Sequence, residues 1–392
     1  MLEIRTLRES DVDAVADLNA RVFGKEGDRD EIRELTRAAH RHCPFVRPEL
    51  CWVAEVDGRI VMQAQLLDLE VRLAGAVVRT GGLQGVVAEP EYRGRGFPLQ
   101  MYAVGLPQAL ALGFELFLGF AQRGALYQRF GGGAPVMPDF ELGLDVAGVE
   151  KLARDRFEPM KEPDLDAMLA HYARANARRS GSLVRTRELW PWLVRRPPLV
   201  LMHPEGYLGY RFAEDAVEVR ELGGSSEAFY DESLRKLAAL ARERGLRLVR
   251  GHVPPDDPLV ARAAVAGCEH RAIFARRSGC LARVARAAPL LEKLAPELEA
   301  RLRGSALVGA RLHLSIDCEG ERWSRSLGPA GGAERHVKLS LPAGALTQLL
   351  FGYLPPRQVL FAHGVSADPA SLEALEVLFP RGWPFMWHGD RF

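Results

Sequence analysis

Between residues 82 and 102 the chain reads GLQGVVAEPEYRGRGFPLQMY, an order that few structures can accommodate. Leu83, Val86 and Val87 supply the apolar run of a buried strand. Pro90 ends that strand, because proline cannot donate to a sheet ladder. Arg93, Gly94, Arg95 and Gly96 then form a loop, and Pro98 stands where a helix tolerates proline, in its first turn. At such a helix start the backbone N–H groups lack intrahelical acceptors and the helix dipole adds partial positive charge. Glycine lets an anion approach the backbone closely. Arg93 and Arg95 add guanidinium groups whose geometry suits phosphate. The stretch therefore predicts a pyrophosphate cradle in preference to a solvated surface turn.

The flanking residues build a sheet around this stretch. Residues 2–7 alternate like a first strand, and Ser10 caps a helix whose Val12, Val15, Leu18 and Val22 recur at helical spacing until Gly24. A second helix is expected over residues 28–40. Residues 51–56 and 59–69 form a hairpin about Asp57-Gly58, and residues 71–80 extend the sheet. After the cradle, Leu99, Met101, Tyr102, Leu106 and Leu110 face inward on a helix that Pro107 is expected to kink or split. Residues 114–120, FELFLGF, make a further strand.

The cradle resembles the coenzyme A loop of the GCN5-related N-acetyltransferase (GNAT) superfamily, whose pattern is Arg/Gln-x-x-Gly-x-Gly/Ala. Arg93, Gly94, Arg95, Gly96 and Phe97 fit it. Pro98 departs at the last position, where a proline has no N–H to offer a phosphate. The element order over residues 1–146 is similar to the same fold. The resemblance implies acetyl-CoA as co-substrate, with its phosphates on Arg93, Gly94, Arg95, Gly96 and Phe97. It also implies that the central strand and FELFLGF splay apart around the pantetheine arm. Backbone contacts would come from Val86, Val87 and Ala88, and from Ala121 and Gln122. In GALYQRFGG, Tyr127 falls where many members of the superfamily carry a tyrosine near the thioester sulfur. A phenol of pKa about 10 is suited to protonate a departing thiolate of pKa about 8.5.

The 392-residue chain is too long for one ordinary domain. Residues 147–286 repeat the plan: a helix over 163–177, a hairpin over 199–212, a strand over 217–222, a Gly-Gly-Ser-Ser loop, a helix over 225–245 and a strand over 247–253. The loop at 223–226 lacks the arginines, so a degenerate second GNAT unit that binds no coenzyme is expected. From residue 287 a helix over 290–302, strands over 310–317 and 336–341, a helix over 343–350, a strand over 359–363 and a helix over 370–378 are expected. This order resembles the sterol-carrier-like C-terminal domain of the enhanced intracellular survival (Eis) acetyltransferases. The fold class expected is thus α/β (α+β), tandem GNAT folds with mainly antiparallel sheets plus that third domain over 287–392. Supporting fragments are YRGRG, GALYQRFGG, EGYLGYRF, PPDDPL, LLFGYL and LFPRGWPF.

The Eis resemblance gives the end of the sequence a role. Members end in an aromatic residue whose free carboxylate is a general base, and Phe392 matches that position. An alkylamine is mostly protonated at neutral pH and needs a base before it can attack a thioester. The resemblance implies acceptors such as aminoglycosides or lysine ε-amines, attacked without a covalent enzyme intermediate, and a homo-oligomer, a hexamer. Composition sets bounds on the rest. A net charge of +1 argues against a dedicated nucleic-acid partner. Five cysteines in no CxxC spacing fit a reduced, cytoplasmic protein. No apolar run reaches the ~20 residues that span a bilayer. His40, His42 and Cys43 read as a polar helix end, so no metal is expected. Two other classes stay open: a non-catalytic acyl-CoA-binding sensor, and an aminoacyl transferase with paired GNAT units.

Overall fold

The computed structural model describes all residues except 1, 26, 122–123, 125–127, 129–132, 153–157, 160–163, 194–198, 276–278 and 332–333. Its first sheet contains β1 (Leu2–Thr6), β2 (Val46–Val56), β3 (Arg59–Leu73), β4 (Ala76–Ala88), β5 (Leu116–Ala121) and β6 (Ala134–Pro135). The second contains β7 (Asp139–Asp145), β8 (Glu158–Pro159), β9 (Leu199–His203), β10 (Gly206–Phe212), β11 (Ala216–Gly224), β12 (Leu248–Gly251) and β13 (Cys268–Ile273). One later strand, β14 (Gly279–Val284), returns to the first sheet. The orders are β1-β2-β3-β4-β5-β14-β6 and β13-β7-β12-β11-β10-β9-β8. A third sheet pairs β15 (Arg311–Cys318) with β16 (Glu321–Leu327) antiparallel and with β17 (Glu334–Leu341) parallel.

The two larger sheets share one plan, antiparallel hairpins leading to a single parallel pair. In the first, β4 and β5 run parallel from Thr80↔Leu116 to Leu83↔Gly119. In the second, β11 and β12 run parallel from Ala216↔Leu248 to Val219↔Gly251. Pairing within each stops there and the strands part. The units also exchange strands. β7, within the expected first domain, sits between β12 and β13, and β14, within the expected second, runs antiparallel to β5. The sheets therefore do not follow the chain positions 146 and 286 at which the sequence suggested boundaries.

Two helices, α1 (Val12–Phe23) and α2 (Arg29–His42), cover one face of the first sheet, where Val15 and Leu18 join Leu67, Leu69, Val71 and Val78. On the other face α3 (Phe97–Ala111) packs Met101 and Ala109 over Trp52, Met62 and Leu66. Pro107 does not split α3. It lies on the exposed side, where water can take the carbonyl it leaves unpaired. β3 and β4 are longer than sequence patterning implied, because their turn is Ala74-Gly75, both at positive φ (48° and 86°), with no break near residue 70. The strand expected over 359–363 is instead a helix, Pro356–Ala362. Proline suits its first turn, and Val359 and Leu360 are buried while Phe361 is exposed; a short apolar run alone does not separate the two. Helix Ala287–Arg303 packs against β4 and β16, merging the third unit's core with that of the first. Among the described residues no helix is long and apolar enough to cross a membrane.

The final residues thread between the cores. Phe385 and Trp387 belong to the second unit's core and Met386 to the first's, the alternation of an extended chain. Phe385 N–H donates to the Ser180 carbonyl at 3.0 Å. Trp387, 3 % exposed, stands edge-on to Phe385 at 4.8 Å between centroids. Replacing Trp387 with alanine should cost about 3–5 kcal/mol in urea unfolding, the cost of a large core cavity. An unchanged midpoint would mean that the tail is not part of the core.

Candidate active site

The cradle forms as local chemistry dictates. β4 ends at Ala88 and a short turn begins at Pro90. Buried Glu89 fixes this exit by accepting from Arg21 (2.7 Å) and Arg59 (2.9 Å). Burial opposes its charge, yet these hydrogen bonds hold its carboxyl below the ordinary range. Gly94 and Gly96 both take positive φ (78° and 77°), which costs glycine least. Gly96 caps α3 with no side chain on the helix start. Among the described residues no acceptor takes the N–H groups of Gly94, Arg95, Gly96 or Phe97, and a Cβ at either glycine would meet open space. Pro98, in the first turn, lacks only an N–H that no helical carbonyl would take. Arg93 and Arg95 are exposed; Arg93 Nε donates to the Ala88 carbonyl at 3.2 Å and Arg95 lies over the Tyr92 ring at 4.9 Å. Unspent donors, free space and two guanidinium groups suit a diphosphate.

Behind the cradle the parted strands open a cavity of about 180 Å³. Val86, Leu83, Gly119, Phe120 and Ala121 line it from the strands, and Pro98, Met101 and Tyr102 from α3. Gly119 sits at the pivot, where a Cβ would lie 3.1 Å from the Leu83 carbonyl oxygen, closer than ordinary packing, so a larger residue would require the strands to shift. β4 carries a bulge here: Gln63 pairs with Val87 and Gln65 with Gln84, which leaves two residues of β4 opposite Ala64. Bulges free backbone groups from the ladder. Gly85, in the bulge, has φ 61°. The edge of Val86, Val87 and Ala88 that faces β5 is unpaired past Leu83. A wall of the cavity comes from β14, through Leu281, Ala282 and Arg283, none of which sequence patterning singled out. Gln122 and Tyr127 lie outside the described residues.

Residues 3–134 match the family model "Acetyltransferase (GNAT) domain". This part of the chain is a GNAT domain. Residues 310–387 match the "Sterol carrier protein domain" model. Over its full length the chain is similar in fold to a GCN5-related N-acetyltransferase from Kribbella flavida (21 % identity, TM-score 0.71, covering 100 % of this chain and 98 % of that one). It is also similar to one from Anabaena variabilis (15 %, TM-score 0.76, 100 % of both). A third similar structure is Eis1 from Mycobacterium abscessus (19 %, TM-score 0.64, 100 % of both). At these identities the likeness is one of fold. No curated protein matches the sequence significantly. A GNAT domain supports acyl-CoA-dependent N-acetyl transfer, with acetyl-CoA as co-substrate.

In the second unit the equivalent of the GNAT cradle is closed by its own side chains. Ser226 caps helix Glu227–Glu243, its Oγ accepting from the Phe229 N–H at 3.2 Å. The Glu205 carboxylate accepts from Ser226 Oγ at 2.6 Å, and the Glu205 carbonyl accepts from Ser225 N–H at 3.0 Å. Donors left open in the GNAT cradle are spent here, and a carboxylate stands beside them.

Phe392 reaches the GNAT domain on the face opposite α3. A Cβ on Gly82 would fall 2.7 Å from its ring, and the ring meets Phe120 edge-on at 6.1 Å. Arg391 donates to Asp139 at 3.2 Å and covers Phe120 at 5.0 Å. Behind it lies a buried polar cluster with no sequence signal. Arg185, whose side chain is 2 % exposed, donates from Nε to Asp390 Oδ1 (2.7 Å) and from both terminal nitrogens to Glu221 (2.6 Å each). The Tyr172 hydroxyl lies within hydrogen-bond distance of both Asp390 Oδ2 (2.9 Å) and the Leu183 carbonyl oxygen (3.0 Å), and the Tyr207 hydroxyl donates to Glu221. Burial lifts the Asp390 carboxyl above its ordinary range against the pull of Arg185. The nearest sequence hint was the run WPFMW ahead of the last residues, whose aromatics alternate with period two. Elsewhere α2 ends at His42, and burial pushes His40 down to about 4. Substituting Gly82 with alanine drives a methyl into the Phe392 ring and Leu69, so urea unfolding should show a loss of about 1–3 kcal/mol. The loss should shrink when Phe392 is also deleted; an equal loss in both backgrounds would place the ring elsewhere.

Proposed function

We propose that the chain is an acetyl-CoA-dependent N-acetyltransferase of primary amines, of the Eis type. The observation that carries this reading is the opening between β4 and β5, with four unspent N–H groups at its mouth and the Phe392 ring against Gly82 at its base. Arg93, Gly94, Arg95, Gly96 and Phe97 hold the diphosphate, and the unpaired edge of Val86, Val87 and Ala88 receives the pantetheine arm opposite Ala121 and Gln122. The amine nitrogen attacks the thioester carbonyl carbon directly. The C–N bond forms as the C–S bond breaks, and main-chain N–H near Val87 polarises the carbonyl oxygen. The nitrogen loses one proton and the departing sulfur gains one. Where Phe392 ends the chain, its α-carboxylate takes the amine proton, and Tyr127 gives a proton to the thiolate. A carboxylate of pKa about 3.5 is a weak base in water; removing it from solvent in the closed complex would raise its basicity.

Aminoglycosides and lysine ε-amines are the acceptor classes to try first, and light scattering on the same sample tests the hexamer expected from the Eis resemblance. The test of the reaction is thiol release from acetyl-CoA by tag-free protein across polyamines, aminoglycosides and lysine peptides. Turnover with at least one amine is expected. Deleting Phe392, or replacing Tyr127 with phenylalanine, should each lower kcat by roughly 10²–10⁴-fold while leaving coenzyme binding intact. Measurable coenzyme binding with no turnover on any amine would favour the sensor class instead. Turnover that survives the Phe392 deletion would keep the enzyme and remove the terminal base.

A further inference from the structure

The second unit repeats the parted parallel pair of the first, and the chain's last residues lie against its opening. Glu221 follows Val219, the last β11 residue paired with β12, by two positions, and His252 directly follows the end of β12. Both meet the tail. The rings of His252 and His388 stand 4.4 Å apart, and Glu221 is joined to Asp390 through Arg185. Asp390 is fully buried, yet its carboxylate comes from a segment with no strand pairing of its own. Every oxygen of Asp390 and Glu221 in this cluster has a partner: Oδ1 and Oδ2 of Asp390 on Arg185 and Tyr172, and both oxygens of Glu221 on Arg185. Arg185 is further fixed by stacking over Tyr172 at 3.9 Å and Trp190 at 5.0 Å. A cluster so fully satisfied has one geometry, because shifting any member leaves a buried charge unpaired.

We infer that Asp390 is a positioning residue for acetyl transfer. Locked onto the degenerate unit through Arg185, Glu221 and Tyr172, it fixes the depth to which Phe392 enters the opening of the GNAT domain. The inference rests on the reading of Phe392 as base. Only one residue, Arg391, separates anchor and base, and it is itself tied to Asp139. Two residues of extended chain span roughly 7 Å, so the anchor leaves the terminal carboxylate little freedom. This gives the second unit a task although its own cradle is closed. Its opening is a socket for the tail.

Two readouts test this on tag-free protein of residues 1–392. The first is release of Phe392 by a carboxypeptidase that removes terminal aromatic residues, followed by mass spectrometry. Asp390→Asn should release Phe392 about tenfold faster or more than the parent, since release tracks the open population of the tail. The second is steady-state kinetics. Asp390→Asn should lower kcat by roughly ten- to a hundredfold with KM for acetyl-CoA unchanged, the effect of a displacement of order 1 Å at the reacting group. Combined with deletion of Phe392, Asp390→Asn should add no further loss. If Asp390→Asn fails to show a cooperative melting transition, Tyr172→Phe, which keeps the Arg185 ion pair, carries the same tests with smaller changes in the same direction. Equal release of Phe392 from the parent and the variant would overturn the inference, as would an unchanged kcat in Asp390→Asn beside a large loss on deleting Phe392. Should deletion of Phe392 leave kcat intact, the terminal base falls, and with it the role of Asp390 in transfer. The release rates would then report only whether Asp390 anchors the tail.

Discussion

A guanidinium with almost no solvent ties the last residues of this protein to its second sheet. Arg185 sits between Glu221 of the second sheet and Asp390 of the tail. Burying any of the three alone would cost several kcal/mol, and their mutual attraction offsets this only with all hydrogen bonds in place. Tyr172 and Tyr207 complete them. Such a cluster adds little net stability over a well-packed apolar core, but it is intolerant of slippage. That suits a tail that crosses from the second unit to the first.

The two larger sheets show how one backbone plan yields opposite outcomes. In both, a parallel pair holds for four residues and then parts. In the first unit, Gly94 and Gly96 leave the helix start bare and apolar side chains line the hollow behind it. In the second, Ser226 and Glu205 consume or repel at the same point, and the tail lies against the opening. Exchange of β7 and β14 ties the units together, so that β14 walls the cavity between β4 and β5 while β7 offers Asp139 to the tail. The third unit contributes through its shared core and through the residues that follow it.

Much of this was legible locally. The cradle, its positive-φ glycines, the helix that starts after Gly96, the Asp57-Gly58 hairpin and the repeat of the plan after residue 147 follow from turn chemistry and periodicity that act over a few residues. Patterning was less reliable where local signals conflict. An alanine in the left-handed turn at Ala74 is unusual, so the β3–β4 corner was misplaced, and the apolar run at 359–363 was compatible with strand or helix.

The sequence by itself determined the parts: an anion-binding turn between a strand and a helix, a second copy without its arginines, and a third unit that ends in an aromatic residue. Only the tertiary structure decided how those parts meet. The pairing of β14 with β5, the burial of Asp390 against Arg185 across 205 positions and the seating of Phe392 on Gly82 each join residues far apart in the chain. Their energies come from desolvation and close packing, which depend on what surrounds a residue in space. No window of neighbouring residues records that environment.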